Sequence, residues 1–188
     1  MKQITIVGAG LAGCEAAWQA ANRGVAVKLI EMKPERLTPA HELSSYAELV
    51  CSNSLKARRV QSASGLLKEE LRLLGSMLLT EAEAVALPAG GALAVDRLAF
   101  SQRVTARIKE HPLIETVTAE IKTIPEAEVV IIATGPLTEG DVFEDIQIRL
   151  GTSALSFFDA AAPIIELDSI DQSIAFRQSR YDRGGADY

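Results

Sequence analysis

Residues 4–31 constrain the fold more than any other part of the chain. An apolar strand runs into a G-x-G-x-x-G turn at Gly8, Gly10 and Gly13, and a helical segment, a second strand and the carboxylate of Glu31 follow. In this arrangement the first glycine permits a tight turn, the second lets a pyrophosphate approach the backbone, and the third lets the helix pack on the strand. The sequence therefore predicts a Rossmann-like α/β domain with a parallel central sheet.

The same residues predict which dinucleotide binds. The helix after the turn directs free N–H groups and the positive end of its dipole toward the phosphates. Glu31 lies about twenty residues on, where a carboxylate accepts hydrogen bonds from a ribose 2′-hydroxyl and repels a 2′-phosphate. We therefore expect FAD or NAD rather than NADP. The predicted cofactor contacts in the turn are Gly8, Ala9, Gly10, Leu11, Ala12 and Gly13.

Composition restricts the class of protein. The chain has 188 residues, enough for one domain and part of another, and 48% of them are hydrophobic, which supports a sizeable core. A net charge of −6 argues against a dedicated nucleic-acid binder but is compatible with a local basic patch. Cys14 and Cys51 have neither disulfide-framework nor metal-ligand spacing, so we expect no metal and a reducing cytoplasm. No apolar run is long enough to cross a membrane, and the start at Met1 leaves no room for a signal peptide.

Beyond Glu31 the pattern predicts a long loop followed by helices. Residues 32–64 lack sustained periodicity, and we expect an ordered loop over a ligand, with a short helical turn before Cys51. Leucines at helical spacing over residues 66–83 predict one apolar face on a kinked helix or on two shorter helices, interrupted at Gly75.

A turn and a further helix come next. Residues 88–91 predict either a plain hairpin connection or a loop whose backbone approaches a ligand. An amphipathic helix is predicted over residues 97–110, with Asp96 as its N-cap. Its predicted buried face consists of Phe100, Val104 and Ile108. Residues 114–124 then predict a strand pair or one broken strand.

The last apolar segment places a second set of residues at the dinucleotide site. Residues 128–135 predict a parallel strand buried on both faces, whose end at Thr134 and Gly135 lies beside the glycine turn. We expect no later segment of this sequence to supply the strand that closes such a sheet. We therefore predict an incomplete cofactor-binding domain over residues 1–150 and the start of a second, inserted domain over residues 151–188.

Two motifs point to one family. The segments Val50-Cys-Ser-Asn-Ser-Leu55 and Pro88-Ala-Gly-Gly-Ala-Leu-Ala-Val-Asp-Arg97 resemble those of the folate- and FAD-dependent tRNA (uracil-5-)-methyltransferases. Further similar segments follow the family's order: Thr38-Pro-Ala-His41, Ala133-Thr-Gly-Pro-Leu-Thr138, Phe158-Asp-Ala-Ala-Ala-Pro163 and Ser179-Arg-Tyr181. The resemblance covers essentially the whole chain and implies a complete enzyme more than twice as long.

The resemblance implies methylation of uridine C5 in the tRNA T-loop. Methylenetetrahydrofolate supplies the carbon unit, reduced FAD supplies electrons, and NAD(P)H re-reduces the flavin. Cys51 matches the family's amino-terminal functional cysteine, either as the nucleophile at uridine C6 or as an acid/base partner of a second thiol. That second cysteine belongs to a carboxy-terminal half that this sequence lacks.

The resemblance also implies further contacts. Arg97, Thr134 and Gly135 are predicted to contact FAD together with the glycine turn and Glu31. Arg58, Arg59 and Lys68, with Arg177, Arg180 and Arg183, are either phosphate contacts or solvated surface charges. The predicted partners are tRNA and folate, with no protein partner and no membrane.

Two other hypotheses stay open on the sequence. One is a general FAD/NAD(P)H oxidoreductase, including the related flavoprotein that modifies wobble uridine in tRNA. The other is a catalytically incomplete FAD-binding fragment. The first shares the glycine turn and the Ala-Thr-Gly strand end but does not call for the motif around Cys51.

Overall fold

The computed structural model describes residues 3–151 and 166–176, which form a mixed α/β fold. The strands are β1 (Gln3–Val7), β2 (Ala26–Glu31), β3 (Ser54–Ala57), β4 (Ala86–Leu87), β5 (Ala92–Val95), β6 (Ile114–Thr118) and β7 (Val130–Ile132). The helices are α1 (Leu11–Ala21), α2 (Ala63–Leu73), α3 (Met77–Ala84), α4 (Arg97–Glu110) and α5 (Asp141–Leu150), with a short 3₁₀ helix at Leu167–Ser169. The described residues divide into two units, 3–48 with 101–151 and 49–100 with 166–176.

The first unit is built on a parallel sheet with strand order β6-β2-β1-β7. β1 and β2 pair with Ile6 opposite Leu29, and α1 provides the crossover that parallel neighbours require. Ile6, Val27 and Leu29 are fully buried. α1 buries small residues, Gly13, Cys14, Ala17 and Ala21, which let it lie close to the sheet. The predicted Rossmann-like α/β fold with a parallel central sheet is confirmed.

The second unit contains an antiparallel sheet of order β3-β5-β4 together with α2 and α3. Each of the two helices begins at a serine whose Oγ accepts a backbone N–H, from Gly65 to Ser62 and from Leu79 to Ser76, both at 3.2 Å. Residues 88–91 join β4 to its antiparallel neighbour β5, so they form the hairpin connection that the sequence left as one of two alternatives.

α4 matches its prediction. Asp96 Oδ1 accepts the backbone N–H of Ala99 at 2.9 Å and caps the helix. Phe100, Val104 and Ile108 are fully buried, as their spacing predicted.

The leucine-rich segment forms two helices, α2 and α3, and the prediction of one shared apolar face is wrong. Leu79 is buried, but Leu66, Leu67 and Leu74 are exposed. Gly75, with φ +73°, follows the end of α2 and resets the helical phase, so leucines before and after it no longer align. The buried face of α2 is instead formed by Gly65 and Lys68.

Three further expectations are wrong in detail. Residues 44–47 form bends rather than a helical turn, because Tyr46 N–H bonds Thr105 Oγ1 and Ala47 N–H bonds Ala9 C=O rather than local carbonyls. Residues 54–57 form β3 inside the predicted loop. β7 is not buried on both faces: Ile131 and Ile132 are each 36% exposed, because β7 is an edge strand of the four-stranded sheet in the described part.

The segment after α4 is shorter than predicted. Residues 114–118 form β6 and residues 119–124 contain no strand, so the structure has one short strand here, neither a strand pair nor a longer strand with a break. The predicted boundary at residue 150 stays a prediction, since residues 152–165 and 177–188 lie outside the described residues.

Candidate functional site

Two of the three glycines in the turn are required by packing within the first unit. Gly8 has φ +97°, and a Cβ placed on it would lie 2.5 Å from the carbonyl oxygen of Ala133. A Cβ on Gly13 would lie 1.8 Å from the carbonyl oxygen of Gly8. Neither position has room for a side chain, because the neighbouring atoms belong to backbone. These two glycines therefore let the strand, the turn and α1 approach each other.

Gly10 differs from its neighbours. Its φ is −72°, which any residue can adopt, and no described atom lies within 4 Å of a Cβ built there. It is also the N-cap of α1 and has no side-chain cap, so the N–H groups of the first helical turn are left for another acceptor. The folded protein does not need glycine here, and the absence of a side chain lets a phosphate group approach the backbone.

Glu31 lies at the turn. It is 7% exposed; Oε2 accepts the backbone N–H of Ala9 at 2.6 Å, and Oε1 accepts the N–H of Lys33 at 3.0 Å. The carboxylate thus ties the end of β2 to the glycine turn. A carboxylate has about four acceptor positions, so these two bonds leave capacity for a ribose hydroxyl. Its contact with a ribose stays a prediction.

Ala9 has a structural part in this turn. It is fully buried, and its carbonyl oxygen accepts the Ala47 N–H at 2.9 Å and the Cys14 thiol at 3.3 Å. The Ala9 N–H donates to Glu31, so both backbone groups of Ala9 are hydrogen-bonded within the first unit. The flanking residues differ, since Leu11 is half-buried and Ala12 is exposed at the beginning of α1.

The strand end at Thr134 and Gly135 meets the turn, as predicted. Ala133 N–H donates to Val7 C=O at 2.8 Å, and a Cβ on Gly8 would lie 3.0 Å from Thr134 Cα. Thr138 Oγ1 donates to Thr134 Oγ1 at 2.6 Å and orients that hydroxyl. The structure therefore brings the glycine turn, Glu31 and Thr134 together at the carboxyl edge of the parallel sheet, where α/β proteins bind ligands.

A buried ion pair lies next to this cluster and was missed by the sequence analysis. Lys33 and Glu48 are 4% and 7% exposed, and Lys33 Nζ lies 3.9 Å from Glu48 Oε2. Glu48 also accepts the N–H groups of Glu42 and Leu43, at 3.0 and 3.2 Å, and so orders the loop. Burial lowers the pKa of Lys33, while the charges of Glu31 and Glu48 oppose that shift. Nothing in the local pattern of residues 32–48 indicates which charges become buried.

His41 lies in the same loop, half-buried. Its Nδ1 is 2.5 Å from Thr38 Oγ1, and burial, followed by the positive charge of Lys33, lowers its pKa below the ordinary value of 6.5. The imidazole is therefore neutral at neutral pH and serves the hydrogen bonding of the loop.

The two cysteines have opposite environments. Cys14 is fully buried in α1, and burial, followed by the charge of Glu31, raises the pKa of its thiol. A thiol that resists ionisation is inert, so Cys14 has a packing role in α1. Cys51 is an exposed free thiol in the second unit. Ser52, beside it, accepts the Ser54 N–H at 2.9 Å and caps the loop that leads into β3.

Arg97, the first residue of α4, belongs to the second unit. It is half-buried, and its Nε is buried without a hydrogen-bond acceptor among the residues that the structure describes. Since Cys51 and Arg97 belong to a different unit from the glycine turn, their predicted roles at a cofactor or substrate stay predictions.

Within residues 3–151 and 166–176, no group of three or more His, Cys, Asp or Glu side chains is placed to hold a metal ion. Over the same residues, no helix combines the length and the apolar character needed to cross a membrane.

Comparison with known proteins gives consistent matches. The family model described as "Glucose inhibited division protein A" matches residues 3–188. A methylenetetrahydrofolate–tRNA-(uracil-5-)-methyltransferase TrmFO of Acetivibrio thermocellus is 54% identical over 185 residues, which are 98% of this chain and 42% of that protein. The enzyme of the same name from Citrifermentans bemidjiense is 57% identical over 186 residues, 99% of this chain and 42% of that protein. The chain thus spans about two fifths of the length of these curated relatives.

The structural comparison supports the fold. A crystal structure of Aquifex aeolicus GidA aligns with a TM-score of 0.53 at 14% identity, covering 67% of this chain and 21% of that one.

Proposed function

Because this chain belongs to the glucose inhibited division protein A family, we propose that it is the FAD-binding segment of a folate-dependent tRNA (uracil-5-)-methyltransferase. The 54% and 57% identity to proteins of that name supports the reaction, although the chain spans only 42% of each. The proposed partners are tRNA, through its T-loop uridine, and methylenetetrahydrofolate. NAD(P)H is the proposed reductant, and the cytoplasm is the proposed compartment because it holds tRNA.

The open position at Gly10 is the observation that carries the FAD assignment. A dinucleotide site needs a backbone that a pyrophosphate can approach, and no described atom fills the space above Gly10. The N–H groups of the first turn of α1 then face the phosphates, with the helix dipole adding a favourable field. Glu31 accepts from the adenosine ribose and disfavours a 2′-phosphate at that position.

When bound, FAD would supply the electron pair that converts the transferred one-carbon unit into a methyl group. The chain's own contribution to the chemistry is the thiol of Cys51. Uridine C5 is a weak nucleophile until a thiolate adds at C6 and places electron density on C5. An exposed thiol can reach an RNA base, which the buried Cys14 cannot do. Arg97 is the proposed contact to the diphosphate or flavin, because its buried Nε–H has no hydrogen-bond acceptor among the described residues.

The proposal is tested with a chimera in which this chain replaces the matching segment of the Acetivibrio thermocellus relative. The chimera is expressed in bacteria that lack T-loop methylation, and 5-methyluridine in their tRNA is measured by mass spectrometry. We expect methylated tRNA and a yellow protein. Cys51→Ala should keep the flavin and lose methylation, while Cys14→Ala serves as the matched cysteine control. Flavin oxidation by NAD(P)H without any 5-methyluridine would favour the general oxidoreductase instead.

A further inference from the structure

The second unit contains a pocket with an excess of positive charge. Its volume is about 230 Å³, and it is lined by Arg58, Lys68, Arg72, Glu83, Ala86 and Leu93. All six lining residues belong to residues 49–100, so the pocket lies within one unit. Three cations and one carboxylate leave a formal charge of +2 on the lining (3 − 1). This local excess contrasts with the net charge of −6 of the whole chain.

Lys68 is the least ordinary of these cations. It is 9% exposed, and its Nζ donates to the backbone carbonyls of Ala57 and Ser64, each at 3.1 Å. Both acceptors are neutral, and an ammonium has three donors. In the described part of the chain no carboxylate pairs with it, and the charged group that affects it is another cation, Lys56. An ammonium that is partly removed from water and has no counter-ion is unfavourable, and an anion from outside would relieve that cost.

The carboxylate of Glu83 does not serve as that counter-ion. Glu83 pairs with Arg72, which also pairs with Glu69. The three side chains of this cluster are each 39–46% exposed, so solvent screens them. Glu69 and Glu83 together more than neutralise Arg72, so the positive charge of the pocket resides on Arg58 and Lys68.

The backbone that carries these two cations is held firmly. A Cβ on Gly65 in α2 would lie 1.8 Å from the carbonyl oxygen of Arg59, so the segment passes directly against the helix. Ser62 Oγ donates to the same carbonyl oxygen at 2.7 Å. On the other side, Arg58 N–H donates to Gly91 C=O at 2.9 Å. The pocket wall is thus preorganised, which lowers the entropic cost of binding a small anion.

We propose that this pocket binds a phosphate group of the RNA backbone, with Arg58 and Lys68 as its donors. Phosphate oxygens accept several charge-assisted hydrogen bonds at once, and arginine and lysine are the side chains suited to them. Lys56 and Arg59 add positive charge in the same segment, which suits a chain of phosphates better than a single anion. The choice of RNA rests on the proposed tRNA methylation; the anion site itself does not.

The first experiment titrates the purified chain with inorganic phosphate and follows amide resonances by NMR. Saturable shifts at Gly65 and Leu93 are expected. Arg58→Gln should abolish them, and because Arg58 is exposed this change should leave the fold intact. Lys68→Met removes the buried charge at similar length and should do the same. Arg59→Gln, an exposed neighbour outside the pocket lining, is the matched control and should keep the shifts. Shifts that do not saturate, or that survive Arg58→Gln, would overturn the pocket.

The second experiment measures binding of a tRNA T-arm hairpin at several salt concentrations. Arg58→Gln should weaken binding about tenfold and lower the salt slope by about 0.7 to 0.9. Arg23→Gln, an exposed cation of the first unit, should change the affinity less than about twofold. Phosphate binding with hairpin affinity unchanged by Arg58→Gln would overturn the RNA assignment. If phosphate and the hairpin both bind as expected but the chimera makes no 5-methyluridine, the proposed reaction is contradicted and the phosphate site is retained.

Discussion

Replacing Gly10 with valine separates cofactor binding from folding. A Cβ at this position meets no described atom within 4 Å, and the φ of −72° is allowed for valine. The native residue has no side-chain cap to lose. The free energy of unfolding should therefore change by less than about 1 kcal/mol, since the lower entropy of the unfolded chain offsets the loss of a glycine N-cap. For a chain of this size that corresponds to a shift in Tm within about 2–4 °C.

The effect on FAD should be much larger. The valine side chain would occupy the space through which a pyrophosphate approaches the backbone and the free N–H groups of α1. We expect affinity for FAD to fall at least about a hundredfold, equivalent to about 2.8 kcal/mol.

The assay compares three proteins after incubation with FAD and desalting. The flavin absorbance at about 450 nm and the Tm are measured for the parent chain, Gly10→Val and Gly91→Val, and roughly one flavin per chain marks full binding. Gly91 is the matched control, because a Cβ there also meets no described atom within 4 Å and its φ is not positive. The expected result is a stable Gly10→Val without flavin beside a stable, yellow Gly91→Val. Stoichiometric flavin in Gly10→Val would refute the site, and a large loss of Tm would refute the packing argument.

Three other predictions use different contacts. Gly13→Ala should destabilise the fold by more than about 3 kcal/mol, because its Cβ would lie 1.8 Å from a backbone oxygen, and a Tm equal to that of the parent would contradict this. In the native protein a maleimide should modify Cys51 and leave Cys14 unmodified until the chain unfolds, as mass spectrometry of peptides can check. The pKa of His41 is lowered in the folded state, so the unfolded chain binds the proton more readily, and the free energy of unfolding should fall as pH drops below 6.5. Urea titrations of His41→Gln should give a shallower fall, and an unchanged pH dependence would rule out this contribution.

Local signals explain which elements were predictable. The βαβ opening, the N-cap at Asp96 and the buried face of α4 depend on residues close together in the chain, where strand pairing, capping and helical periodicity act directly. The same applies to Gly8 and Gly13, because a turn between a strand and a helix leaves no space for a side chain at those positions. For residues 66–83 the alternative of two shorter helices interrupted at Gly75 is confirmed, but the shared apolar face was wrong, since the positive φ of Gly75 changes the helical phase.

The carboxyl edge of the sheet required partners from distant segments. Thr134 and Gly135 could be assigned to the glycine turn because parallel strands end at one edge. The buried pair of Lys33 and Glu48 could not be predicted, since its burial depends on a loop whose Ala47 N–H donates to the carbonyl oxygen of Ala9.

The sequence by itself determined the dinucleotide fold, the acidic residue at the end of β2 and the family, because each is encoded in contiguous residues with fixed spacing. Tertiary structure alone decided that the space at Gly10 is open, that the carbonyl oxygen of Ala133 lies against Gly8, and that Lys68 is buried without a carboxylate in the described part of the chain. Burial and steric space depend on which distant backbone lies against a residue, and the free energy of a charge or a methyl group depends on that contact.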